Sequence, residues 1–136
     1  MNSVVVDASV ALAWCFPDEA SKEADRILAT LKGKAIFVPA IWALEIANAI
    51  LVGERRKRLK QPEIMRFVAL LESLPISEDH QTVTDRVNNV LPLARVHGLS
   101  AYDAAYLELA IRHNSPLATL DVGLQKAARR SGIKVF

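Results

Sequence analysis

The chain has 136 residues, 51% of them hydrophobic, and its 17 Lys and Arg against 15 Asp and Glu leave a formal net charge of +2. That balance is too small to announce nucleic acid as a partner by itself, and the hydrophobic content leaves little room for disordered tails, so residues 1–136 are expected to form a single domain. A lone cysteine, Cys15, excludes a disulfide framework, and no signal peptide or membrane span is legible, so the expectation is a soluble cytoplasmic protein.

Val4, Val5 and Val6 form a β-branched run suited to a strand buried on both faces, and Asp7 follows where the run stops. A carboxylate at the carboxyl end of a buried strand lies at the edge where open α/β sheets place their ligands. The apolar segment 8–14 is then broken by Phe16, Pro17 and Asp18. Asp18 predicts a helix start, with Glu19 and Glu23 early, Ala24, Ile27, Leu28 and Leu31 at helical spacing, and Gly33 as its stop. Residues 35–38 read as a second buried strand closed by Pro39.

The spacing next predicts a helix over 41–58. Ile41, Leu44, Ile46, Ala47, Ile50 and Leu51 cover most of its circumference, so its first half is expected to be buried, ahead of a basic end at residues 54–60. Pro62 suits the first turn of another helix, with Ile64, Phe67, Val68, Leu70 and Leu71 as its apolar stripe. Residues 74–77 suit a short edge strand because Pro75 cannot serve a central one. A helix follows over 81–97, with Pro92 predicting a kink or break and Gly98 a stop. Ser100 opens the next helix, residues 116–120 read as a strand ended by Asp121, residues 123–130 as a short helix and residues 133–136 as a closing strand. Strands alternate with helices throughout, which predicts the α/β class with a mainly parallel sheet.

Right-handed crossovers put the carboxyl ends of parallel strands on one edge, so Asp7 and Asp121 are expected at the same rim. Asp103 lies in the first turn of the helix opened by Ser100, with Tyr106 on the same face. Glu45 lies inside an apolar helix face, where an isolated ionised carboxylate is costly. Each acid has a bland role: Asp7 and Asp121 as helix caps, Asp103 in a capping box, Glu45 paired with Arg55 or Arg95. Together they read differently, because clustered carboxylates repel one another and call for a cation. His80, His97 and His113 are scattered, so an all-oxygen site for Mg²⁺ or Mn²⁺ fits better than zinc. Carboxylates, a hard cation and water are the parts of a phosphate-ester hydrolase.

The order and separation of residues 4–9, Glu45 with Asn48, residues 100–104, and Thr119-Leu120-Asp121 with Leu124 resemble those of PIN domains, most closely the VapC-type toxins of prokaryotic toxin–antitoxin pairs. The resemblance runs nearly end to end. It implies a three-layer α/β/α fold and a metal-dependent endoribonuclease leaving 5′-phosphate and 3′-hydroxyl ends. Asp7, Glu45, Asp103 and Asp121 correspond to the family's acidic set, Asp7 and Asp103 as the most direct Mg²⁺ (or Mn²⁺) ligands, with Ser9, Asn48 and Thr119 in supporting positions. It also implies a homodimer restrained by a small antitoxin protein. A related reading keeps the same pocket in an RNA-processing or structure-specific DNA nuclease. Aspartyl phosphoryl transfer is disfavoured, since Ser9 stands where its second aspartate is expected. A receiver domain is disfavoured too, lacking the acceptor aspartate at the end of residues 36–39.

Outside the acids, residues 55–60 read first as cations complementing a helix end and second as phosphate contacts. Trp42 reads as core, while Trp14, Tyr102 and Tyr106 are candidates for base stacking.

Overall fold

The computed structural model describes residues 2–136. Four parallel strands in the order β3-β2-β1-β4 form a central sheet flanked by seven helices, the expected α/β class. The centre is β1 (Ser3–Val6), in which Val4, Val5 and Val6 are 0–1% exposed, as a β-branched run inside a parallel sheet demands. It pairs with β2 (Ala35–Val38) on one side and β4 (Leu117–Ala118) on the other, and β3 (Ile76–Glu78) forms the far edge beside β2. The edge placement of β3, just after Pro75, follows the proline reading.

The chain leaves β1 directly into α1 (Ala8–Cys15), which packs on α2 (Lys22–Thr30), α3 (Trp42–Arg55) and α4 (Gln61–Ser73). Pro17–Glu19 forms a 3₁₀ turn, and α2 starts four residues later than Asp18 because Ser21 takes the cap, accepting the Ala24 N–H at 3.0 Å. Asp18 is engaged elsewhere. The Arg58 guanidinium lies 2.8 Å from both Asp18 and Glu19 and 4.4 Å from the centre of the Phe16 ring. Arg58 therefore lies outside α3, in a turn where Lys57 takes a left-handed φ of 59° and Leu59 is buried. Arg55, Arg56 and Lys57 stay exposed.

The expected burial of the first half of α3 is not found. Trp42 and Ile46 are buried, but Leu44 is 67% exposed, and Ala47 and Leu51 face outward as well. An apolar circumference predicts burial only if both sides have partners; α3 packs chiefly on α1. Pro92 does not break α5 (Val83–His97), which runs through it to a left-handed Gly98. Pro92 is exposed, and the helix is held along α6 (Ala101–His113). The closing strand is reduced to a single parallel bridge between Val135 and Leu117, since β4 itself has only two residues. The last helix, α7 (Val122–Arg130), begins one residue earlier than the spacing predicts, capped by Asp121.

Helix α6 lies across β1, β2 and β4 and is tied to the sheet edge by Arg112. Its guanidinium donates to Glu108, 6% exposed, at 2.7 Å and to Asp79, just past β3, at 2.6 Å. The hydrogen bonds from Arg112 hold the Asp79 carboxyl below its ordinary range. Arg112→Ala is expected to cost about 1–2 kcal/mol in urea unfolding, discounted from a buried pair because Arg112 is partly in water. An unchanged midpoint would show the tie to be idle.

Candidate active site

Parallel register brings the ends of β1 and β4 level: Val6 pairs with Ala118, and the Asp7 N–H donates to the Ala118 carbonyl at 2.9 Å. Asp7 and Thr119 are thus neighbours across the sheet edge although 112 residues apart. Thr119 Oγ1 donates to Asp7 Oδ2 at 2.6 Å, and Ser9 Oγ donates to the same oxygen at 2.8 Å. Both hydroxyls are oriented from behind. The Asp121 N–H donates to Thr119 Oγ1 and the Leu120 N–H to Ser9 Oγ, each at 3.1 Å, which leaves the two hydroxyl protons for Asp7.

Asp7 occupies the cap position of α1 in an extended conformation, yet its side chain makes no capping hydrogen bond. The backbone amides of Ala8 and Ser9 also act on it and lower its affinity for a proton. It is 6% exposed. Burial raises its affinity for a proton above the ordinary carboxyl value, against the pull of Thr119, Ser9 and those amides.

Glu45 projects from the first turn of α3 and is half-buried. Its partner is neither Arg55 nor Arg95 but Tyr106, whose hydroxyl donates to Oε1 at 2.6 Å. Burial raises the Glu45 pKa, and the charges of Asp7 and Asp103 raise it further, while the Tyr106 hydrogen bond works the other way. Asp103 stands in the first turn of α6, where its amide donates to the capping Ser100 hydroxyl at 3.1 Å. Burial, then Asp7, then Asp121 lift the Asp103 pKa. Asp121 is exposed, and its Oδ1 caps α7 by accepting the Leu124 N–H at 3.0 Å.

The carboxylates of Asp7, Glu45 and Asp103 therefore feel one another, and Asp121 reaches the group through Asp103. Ser9 and Thr119 are joined to it through Asp7. Asn48 is exposed on α3 and shares no hydrogen bond with the acids among the described residues. Tyr106 joins the site in a role other than the base stacking expected of it. It is fully buried, so it is not a stacking platform, and its three-residue spacing from Asp103 is the signal that marks it. Tyr102 is 62% exposed and lines an apolar groove of about 480 Å³ with Leu44, Val87 and Leu91, beside Glu45 and Asp103 in sequence.

No cation contributes to the shifts of Asp7, Glu45 or Asp103. The arginine ion pairs of the described residues lie elsewhere, on Glu23, Asp18, Glu19, Asp79 and Glu108. No three acidic, histidine or cysteine side chains among the described residues stand close enough to make a ready metal centre. The donor chemistry nonetheless fits a hard divalent cation: oxygen ligands only, negative charge without a counter-charge among the described residues, and a Mg²⁺ site that needs one or two carboxylates and keeps its waters.

The fold has known counterparts. Over 118 residues the chain is 30% identical to Ribonuclease VapC3 of Pyrobaculum aerophilum, covering 87% of this chain and 88% of that protein. The crystal structure of PAE2754 from the same organism superposes with a TM-score of 0.70 at 24% identity, covering 98% of this chain and 83% of that one. The structure of VapBC2 from Rickettsia felis, bound to a DNA fragment from their promoter, superposes with a TM-score of 0.68 at 15% identity, covering 98% and 97%. The PIN domain family matches residues 4–130, nearly end to end, and the chain belongs to it.

Proposed function

We propose that this chain is a Mg²⁺- or Mn²⁺-dependent endoribonuclease, the toxin of a toxin–antitoxin pair. The observation that carries the reading is the group Asp7, Glu45 and Asp103: three carboxylates at one edge of a parallel sheet, each pushed toward protonation, with no arginine or lysine among the described residues to balance them. The relative named Ribonuclease VapC3 supports RNA as the substrate. From the VapC-type order of acids, the reading takes a small antitoxin protein and a second copy of the chain as partners, in the cytoplasm.

In this reading Asp7 and Asp103 hold the cation and Asp121 completes the pocket. When bound, the cation offsets charge on the phosphodiester and makes a water easier to deprotonate. Ser9 and Thr119 occupy Oδ2 of Asp7 and so steady the carboxylate, leaving Oδ1 without a side-chain donor. Glu45 orients the attacking water and accepts its proton at Oε2, the oxygen that Tyr106 does not engage. The water oxygen joins phosphorus, the bond from phosphorus to O3′ breaks, and O3′ leaves as a hydroxyl after taking a proton from solvent water, to which Glu45 in turn releases the proton it accepted. The phosphate remains on the 5′ end of the downstream fragment.

Purified protein is expected to cleave single-stranded RNA with Mg²⁺ or Mn²⁺ and to stop on adding excess EDTA. The downstream fragments should be labelled by kinase only after phosphatase treatment. Cleavage that continues in EDTA defeats the metal role, and cleavage without growth arrest on expression removes the toxin role.

A further inference from the structure

Tyr106 is out of reach of solvent, so its contribution to the site is made through Glu45. Its ring is 0% exposed in α6, against the core formed by β1 and its neighbours. Its hydroxyl is one of two polar features that the core carries toward the acids, the other being the Thr119 hydroxyl on Asp7. The hydroxyl donates to Glu45 Oε1 at 2.6 Å, 61 residues away in sequence, and the Ala8 amide at the start of α1 acts on its oxygen. It therefore spans three elements that meet at the sheet edge: α6, which carries Asp103; α3, which carries Glu45; and α1, which follows Asp7.

A glutamate has three side-chain torsions, and Glu45 is half-exposed, so its backbone alone leaves the carboxylate free to turn into solvent. No other side chain or amide among the described residues donates to it. A short charge-assisted hydrogen bond from a rigid, fully packed donor removes that freedom. We infer that Tyr106 is a positioning residue: its hydroxyl holds Glu45 turned inward, with Oε1 occupied and Oε2 presented to the space it shares with Asp7 and Asp103. This rests on the nuclease reading of the same acids. Groups that orient a metal-site carboxylate from behind typically change metal affinity or activity by roughly 10–100-fold when removed.

The test is a double-mutant cycle on Tyr106→Phe and Glu45→Gln, read by Mn²⁺ titration in a calorimeter and by RNA cleavage with Mn²⁺. Tyr106→Phe removes one oxygen and keeps the ring, and circular dichroism confirms that each variant is folded. The single Tyr106→Phe change is expected to weaken Mn²⁺ binding and slow cleavage, each by roughly tenfold. Added to Glu45→Gln, the same change is expected to move both by less than about twofold, because the carboxylate it positions is no longer there. Equal losses in the two backgrounds would assign the effect to packing and overturn the proposal. Native binding and cleavage in Tyr106→Phe would overturn it while leaving the nuclease reading standing. A native chain that neither binds Mn²⁺ nor cleaves RNA would overturn both.

Discussion

Asp7→Asn is expected to lower RNA cleavage by on the order of a thousandfold while leaving the protein folded and at least as stable at pH 7. The substitution preserves shape, and the amide oxygen can replace Oδ2 as the acceptor for Ser9 and Thr119. What disappears is the negative charge. Because the Asp7 side chain makes no capping hydrogen bond to α1, little capping energy is lost. The sign of the stability change follows from proton linkage. Burial raises the Asp7 pKa in the folded state above its ordinary value of 3.8, so ionisation disfavours the fold. That penalty is absent below 3.8, where both states are protonated, and it grows as pH rises through the folded value. The native chain should therefore fall behind the Asp7→Asn variant in urea unfolding as pH rises from about 4, and match it below. A variant markedly less stable than the native chain at pH 7 would show that Asp7 is a structural group. Cleavage at the native rate would remove it from the site.

Gly53→Val is expected to be the most damaging single change to stability outside the site. A Cβ at Gly53 would stand 2.6 Å from Cε1 and 2.7 Å from Cζ of Phe16 and 3.2 Å from Leu59. The ring cannot move aside, since the Arg58 guanidinium covers it and Arg58 is itself held by Asp18 and Glu19. Glycine is thus present for the close approach of α3 to the end of α1. Its replacement gains only a few tenths of a kcal/mol in helix propensity against about 2–3 kcal/mol of overpacking. The melting temperature should drop by roughly 7–10 °C, with cleavage at low temperature little changed. A variant that melts with the native chain would mean that the Phe16 ring has room the packing does not reveal.

These two residues differ in how visible they are in the amino-acid order. Asp7 is announced by three β-branched neighbours and a sudden carboxylate, a local pattern that places it at the end of a buried strand. Gly53 is silent, because nothing near it in sequence mentions Phe16. The same contrast runs through the acids. That Asp7 and Asp121 share a rim follows from strand–helix alternation and the handedness of crossovers. That Asp103 opens a helix follows from Ser100 three residues before it. Glu45 stands out because its helix face is apolar, but the sequence offers Arg55 or Arg95 as its partner and reads Tyr106 as a candidate for base stacking.

What the amino-acid order determined by itself is the α/β alternation, the buried central strand and the succession of acids along the chain. These are governed by short-range rules: side-chain branching, helical spacing, and caps within one turn of what they cap. Only the tertiary structure decided that α3 leaves Leu44 and Leu51 outside, that Arg58 serves Phe16 and Asp18, and that Thr119 and Tyr106 direct their hydroxyls onto Asp7 and Glu45. Each of those depends on which elements become neighbours. A side chain's own sequence surroundings carry no trace of a partner that folding brings from 40 or more residues away.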